Sequence, residues 1–176
     1  MSNRHLWGAI EALLFASGQP LPPEKIAGIL NISIEEVHTL TNDMATSMAD
    51  EKRGLTIVEV AGGYQLCTKP IWFSIVSKLA EIQDSRLSAA ALETLAIVAF
   101  KQPVTRQEIE GIRGVNADRV IATLLDRFLI KEIGRKEAVG RPILYGTTNE
   151  FLQCFGLKSL DDLPAIASLV PVAPEQ

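Results

Sequence analysis

The chain repeats itself, and the repeat is what most limits how it can fold. Residues 13 to 41 lie over residues 96 to 124 without a gap, 83 positions on. Gln19-Pro20-Leu21 falls on Gln102-Pro103-Val104. Ile26, Gly28, Ile29, Ile32 and Val37 fall on Ile109, Gly111, Ile112, Val115 and Val120. What coincides is a hydrophobic periodicity together with its turns, which two copies of one small fold share.

Each copy reads as three helices followed by a hairpin. In the first, helices are predicted over 6 to 17, 23 to 30 and 34 to about 51. Leu6, Ile10, Leu13 and Leu14 form the inner stripe of the first, and Pro23 sits where a missing N–H costs nothing. Strands follow over 55 to 60 and 64 to 68, around Ala61-Gly62-Gly63 as a tight turn. A helix over 70 to 82 closes the unit, with Trp72, Ile75, Val76 and Leu79 on one face, and 83 to 87 is the linker. The second copy has helices over 88 to 100, 106 to 112 and 117 to 128, and strands over 130 to 135 and 143 to 147. A wing spans 136 to 142, a last helix 149 to 155, and Ser159 to Asp162 cap one more turn. Residues 170 to 176 read as disordered. The fold class is therefore mainly α with small β hairpins, as tandem winged-helix domains. Domains are expected at 1–83 and 84–164, with a flexible tail over 165–176.

Capping patterns mark the helix starts. Ser33 to Glu36 and Thr105 to Glu108 read as capping boxes, and Asn116 as a cap. Ile32 with Val37, Val104 with Ile109, Val115 with Val120, and Leu87 with Leu92 have the spacing of hydrophobic staples.

No phosphate loop or dinucleotide-binding glycine pattern is present, and Gly62-Gly63 belongs to a turn. His5 and His38 stand far apart with no cysteine beside either, so no metal site is expected. Cys67 and Cys154 read as small buried hydrophobes in a chain with reduced thiols. Glu35-Glu36 and Asp161-Asp162 sit where helix N-termini favour negative charge. Neither an enzyme nor a cofactor is expected, and no apolar run is long enough to span a membrane.

Winged helices often place the third helix in the DNA major groove. Residues 1 to 50 carry only Arg4 and Lys25 against six acids, which argues against that use of the first copy. Residues 101 to 150 carry nine Lys or Arg against seven acids. Arg135 and Lys136 on the wing are the candidates for auxiliary DNA contact, with Asp118, Asp126, Glu132 and Glu137 interleaved among such cations. The apolar excess points elsewhere. The helix over 88 to 100 is apolar around most of its circumference, and such helices need cover on more than one side.

Three blocks carry a resemblance: IEALLFASGQPL at 10 to 21, ALETLAIVAFKQPVTRQEIEGIRGV at 91 to 115, and GRPILYGTTNEFLQCFGLKSLDDLP at 140 to 164. With them the chain resembles the bacterial segregation and condensation protein B family from about residue 6 to 164. That resemblance implies a non-enzymatic homodimer in the cytoplasm, associated with the nucleoid. Its partner is the central region of the kleisin subunit, segregation and condensation protein A, and through it the SMC ATPase, with DNA met indirectly. It further implies dimerisation through the first unit and kleisin binding through the second. For that binding the expected residues are Leu92, Leu95 and Phe100 on the exposed side of their helix, and the edge formed by Arg141, Pro142 and Tyr145. Arg141 would meet a partner carboxylate and Tyr145 would serve as an aromatic anchor. The alternative is a DNA-binding transcriptional or architectural protein.

Overall fold

In the computed structural model the described residues are 3–79 and 86–164. The chain divides into two compact units, Met1–Ser85 and Arg86–Gln176. Each unit has its own apolar core.

The first unit begins with α1 (Asn3–Ser17), α2 (Pro23–Leu30) and α3 (Ile34–Ser47). Leu6, Ile10 and Leu14 from α1, Ile26 from α2, and Val37, Leu40 and Met44 from α3 meet in one cluster. Ile32 packs against the same cluster as Val37, so this staple closes. Ser33 accepts a hydrogen bond from the Glu36 N–H at 3.1 Å, and the cap is this single bond, not the reciprocal box. The third helix is shorter than expected. Asp50 draws the Lys52 N–H to its own carboxylate at 2.9 Å, a side-chain bond that competes with helix continuation.

Strands β1 (Leu55–Val60) and β2 (Gly63–Thr68) pair antiparallel with Val60 opposite Gly63. The turn is therefore two residues, Ala61 and Gly62, both at positive φ (50° and 73°), as a hairpin with right-handed twist favours. Gly63 belongs to the strand for a different reason. Tyr64 exchanges both backbone hydrogen bonds with Leu21, at 2.9 and 3.0 Å. A Cβ on Gly63 would lie 2.8 Å from the Leu21 carbonyl group.

The expected helix over 70 to 82 is not formed in the described part. Pro70–Trp72 is a 3-10 turn and α4 (Phe73–Val76) lasts one turn, while 80–82 fall outside the described residues. Neither element has a buried residue, so no packed face offsets the entropy of a longer helix.

The second unit runs α5 (Ala89–Lys101), β3 (Val104–Thr105), α6 (Arg106–Arg113), α7 (Asp118–Asp126), β4 (Ile130–Arg135), β5 (Ile143–Thr147) and α8 (Asn149–Phe155). Its sheet has the order β3-β5-β4, all antiparallel, with Val104 opposite Tyr145 and Ile130 opposite Thr147. The strand β3 was not expected from the sequence, where Val104 and Thr105 read only as staple and cap. They do both: Thr105 and Glu108 form the reciprocal capping box. Val104 occupies the repeat position of Leu21, which pairs with its own wing strand through one bridge.

Asn116 is not the cap of α7. It accepts from the Asp118 N–H at 3.1 Å, while the Glu110 carboxylate accepts from the Ala117 N–H at 3.0 Å. Val115 and Leu92 are both exposed, so neither adds to the buried core. α7 ends with Leu129 N–H donating to Leu124 C=O and Phe128 N–H to Leu125 C=O. This is a Schellman ending in which Phe128, at φ 57°, holds the place usually given to glycine. α8 ends the same way at Gly156.

Candidate functional site

Two depressions in the second unit gather the residues expected to bind. The first is an apolar groove of about 310 Å³ between α5 and α8. Leu92, Leu95 and Phe100 line it, and so do Ala96, Ala99, Phe151, Phe155, Leu163 and Pro164. Leu92 is 46% exposed and Phe155 49%, which leaves a large apolar rim in water. Leu95 differs from expectation. At 1% exposure it forms part of the core and contributes only the floor.

Helical periodicity explains α5's side of the groove. Ala91, Leu95, Val98 and Ala99 face the core, which turns Leu92 and Ala96 outward. On α8, Phe151 is buried and Phe155, one turn later, stacks against it with centroids 4.9 Å apart. The sequence places a helix here with more large apolar residues than one buried face needs, and singles out none of them as a contact. The i, i+4 spacing of Phe151 and Phe155 was the available signal. Cys154 lies on the same helix and is exposed, not buried, because α8 buries only its Phe151 side. Cys67 is half-buried, and burial pushes its thiol pKa up.

The second depression, about 230 Å³, lies between the start of α6 and the wing. Arg135, Arg141, Pro142 and Tyr145 line it, joined by Arg106, Gln107, Gly140 and Ile143. Tyr145 also departs from expectation. It is 8% exposed and packs in the core cluster, so it floors the pocket and does not project as an anchor. Its position on β5, the central strand, places it between β3 and β4. Burial, and then Glu132, raise its hydroxyl pKa above the ordinary value.

Charges around this pocket are largely spent on one another. Lys136 donates to Glu108 at 2.6 Å. That bond, with those from the Thr105 N–H and hydroxyl, pulls the Glu108 carboxyl down to about 2. Asp118 is lowered by the Asn116 amide and then by Arg106, with which it pairs. The same pairing raises Arg106. Arg135 donates to the Arg141 carbonyl at 3.1 Å. Of the two expected DNA contacts, Lys136 is thus neutralised and Arg135 is turned back onto the wing. Among the described residues no group of three or more His, Cys, Asp or Glu side chains could hold a metal ion. No described helix is long and apolar enough to cross a membrane.

Comparison with known proteins decides the family. A family model described as "Segregation and condensation complex subunit ScpB" matches residues 8–166. The chain belongs to the ScpB family. Segregation and condensation protein B of Moorella thermoacetica is 50% identical over 162 residues, covering 92% of this chain and 83% of that one. The ScpB protein of Bacillus cereus (strain G9842) is 48% identical over 169 residues, covering 95% and 89%. Solved structures include ScpB from Mycobacterium tuberculosis, with 33% identity, 89% and 98% coverage and a TM-score of 0.44. Another is a dimer of a ScpB N-terminal domain complexed with a ScpA peptide, with 31% identity, 44% and 96% coverage and a TM-score of 0.42.

Proposed function

We propose that this ScpB-family chain is a non-enzymatic, dimeric adaptor whose second unit binds the central region of ScpA, the kleisin subunit. Through ScpA it would join the SMC ATPase on the nucleoid, supporting chromosome condensation and segregation. The observation that carries the reading is the open apolar groove between α5 and α8. Its rim of Leu92, Phe100 and Phe155 suits a peptide that brings apolar side chains at regular spacing. The wing edge at Arg141 and Pro142 is the second contact.

Dimerisation is assigned to the first unit. Phe15, Ile29, Ile71, Phe73, Ile75 and Leu79 there are all more than half exposed, a surplus that a second copy would cover.

The DNA-binding alternative is disfavoured by the pairing of Lys136 with Glu108 and of Arg106 with Asp118. Those cations have no counterions left to exchange for phosphate.

The test is a double substitution, Leu92→Ser with Phe100→Ser, in the full chain. ScpA binding is expected to weaken at least about tenfold, as loss of two apolar anchors implies. Circular dichroism and sedimentation mass should stay unchanged. Undiminished ScpA binding would refute the groove assignment. Leu95 and Tyr145 are unsuitable for this test, because each is core.

A further inference from the structure

Three guanidinium groups meet at the wing depression, and they are not equivalent. Arg106 is committed to Asp118, with Glu110 at 3.9 Å on its other side. Arg135 donates through Nη1 to the Arg141 carbonyl oxygen. The Arg141 guanidinium has no hydrogen bond or ion pair to any described residue. No carboxylate lines the depression.

The backbone holds Arg141 in place. Gly140 and Arg141 both have positive φ, 80° and 41°. The Arg141 N–H donates to Ala138 and the Lys136 N–H to Pro142, each at 2.9 Å, so the wing is tied on both sides of the residue. A non-glycine residue in this region is strained, and such strain gathers at ligand clamps. Ile143 and Tyr145 line the same depression, and both pack on or in the core of this unit.

We propose that this pocket takes the carboxylate of one aspartate or glutamate on the partner segment, gripped by the Arg141 guanidinium with Arg135 behind it. This rests on reading the second unit as the ScpA-binding one, and adds the chemistry by which the wing selects its partner. The planar fork of arginine matches a carboxylate through two parallel hydrogen bonds. The open depression of about 230 Å³ has room for one acidic side chain beside Ile143. A nucleic-acid backbone fits less well. It needs a row of free cations, and here Arg106 is paired with Glu110 and Asp118, and Lys136 with Glu108.

The experiment titrates the ScpA central fragment against the full chain by calorimetry. Each Asp or Glu of the fragment is changed in turn to Asn or Gln. The protein is used unaltered, as Arg141→Asn, and as Arg141→Lys. Asparagine tolerates positive φ, so R141N removes the charge while keeping the wing's backbone. One acid should stand out, its neutralisation weakening binding roughly tenfold to the unaltered chain, as for a partly desolvated charge pair. The same change should have no further effect on R141N. R141K should recover only part of the loss, because it restores the charge without the fork.

Additive losses for every acid, in both Arg141 variants, would overturn the proposal and leave the groove reading intact if L92S/F100S still weakens binding about tenfold or more. Failure of the unaltered chain to bind the fragment overturns both. Loss of duplex DNA binding in R141N, with fragment binding unchanged, would overturn the proposal in favour of a phosphate ligand.

Discussion

Gln102 ties the end of α5 to β5 through its side-chain amide, and its removal should be costly. By the β3–β5 register it falls opposite Thr147, and its side-chain amide continues the ladder beyond Val104. Its Oε1 accepts from the Thr147 N–H at 2.8 Å. Its Nε2 donates to the Ala99 carbonyl at 3.2 Å and to the Thr147 hydroxyl at 3.1 Å. Thr147 is buried, so Gln102→Ala leaves its N–H without a partner or a route to water. A stranded buried donor costs about 1–3 kcal/mol, and the lost bond to Ala99 adds about 1 kcal/mol. We therefore expect a loss of roughly 2–4 kcal/mol, or about 8–30 °C in the melting point of a unit this size. The repeat supplies the control. Gln19 stands at the matching position but is exposed, and Gln19→Ala should cost less than about 0.5 kcal/mol. Differential scanning calorimetry of both variants measures this. Equal midpoints for the two would refute the claim that the amide substitutes for a strand residue.

Phe128 holds a left-handed position with its ring 69% exposed, so Phe128→Gly should stabilise the second unit by about 0.5–1 kcal/mol in urea titration. Gly63→Ala brings a Cβ to 2.8 Å from the Leu21 backbone; it should destabilise the first unit by about 1–3 kcal/mol, the range for overpacking. Leu95→Ala should cost about 2–5 kcal/mol of thermal stability as a core cavity, whereas Leu92→Ala should cost far less. Glu108 has its folded pKa lowered to about 2, so its contribution is full above the unfolded value near 4.3 and is lost as pH falls toward 2. Because Glu108 is 43% exposed, solvent screening limits that contribution to under about 1 kcal/mol. Acid titration of Glu108→Gln should show a correspondingly flatter loss over that window.

Elements with their own covered face were legible in the sequence. α2 announces itself by Pro23, α6 by its capping box and both by the repeat, while β4 and β5 flank a glycine-containing wing. What escaped had causes outside its own segment. α4 lacks a partner surface, so the periodicity of Trp72, Ile75, Val76 and Leu79 had nothing to pack against. β3 exists only because β5 offers an edge to Val104 and Thr105. Gly63 is a strand residue because Leu21, forty-two positions earlier in the chain, approaches it. Nothing in the local sequence favours Phe128 in a left-handed turn, since aromatic residues avoid that region.

The candidate site divided in the same way. The surplus of apolar residues on α5 was readable, and it placed Leu92 and Phe100 on the groove. Which of them stayed wet was not. Leu95 is three positions from Leu92, and whether it faces core or solvent depends on where α7 docks on α5. Tyr145 looked like an anchor beside Arg141 because the two are close in sequence. The central position of β5 buries it. Arg106 and Gln107 entered the wing pocket only through the fold, which brings the start of α6 beside Arg141.

The central claim is that this chain binds ScpA as a protein adaptor, and titration of the ScpA central fragment across a range of salt tests it most directly. The account predicts binding whose affinity changes only a few-fold between about 50 and 200 mM salt, and which L92S/F100S removes. Phosphate-driven binding would fall about a thousandfold or more over that range. No binding to the ScpA fragment, together with duplex DNA binding that collapses in this way, would contradict it.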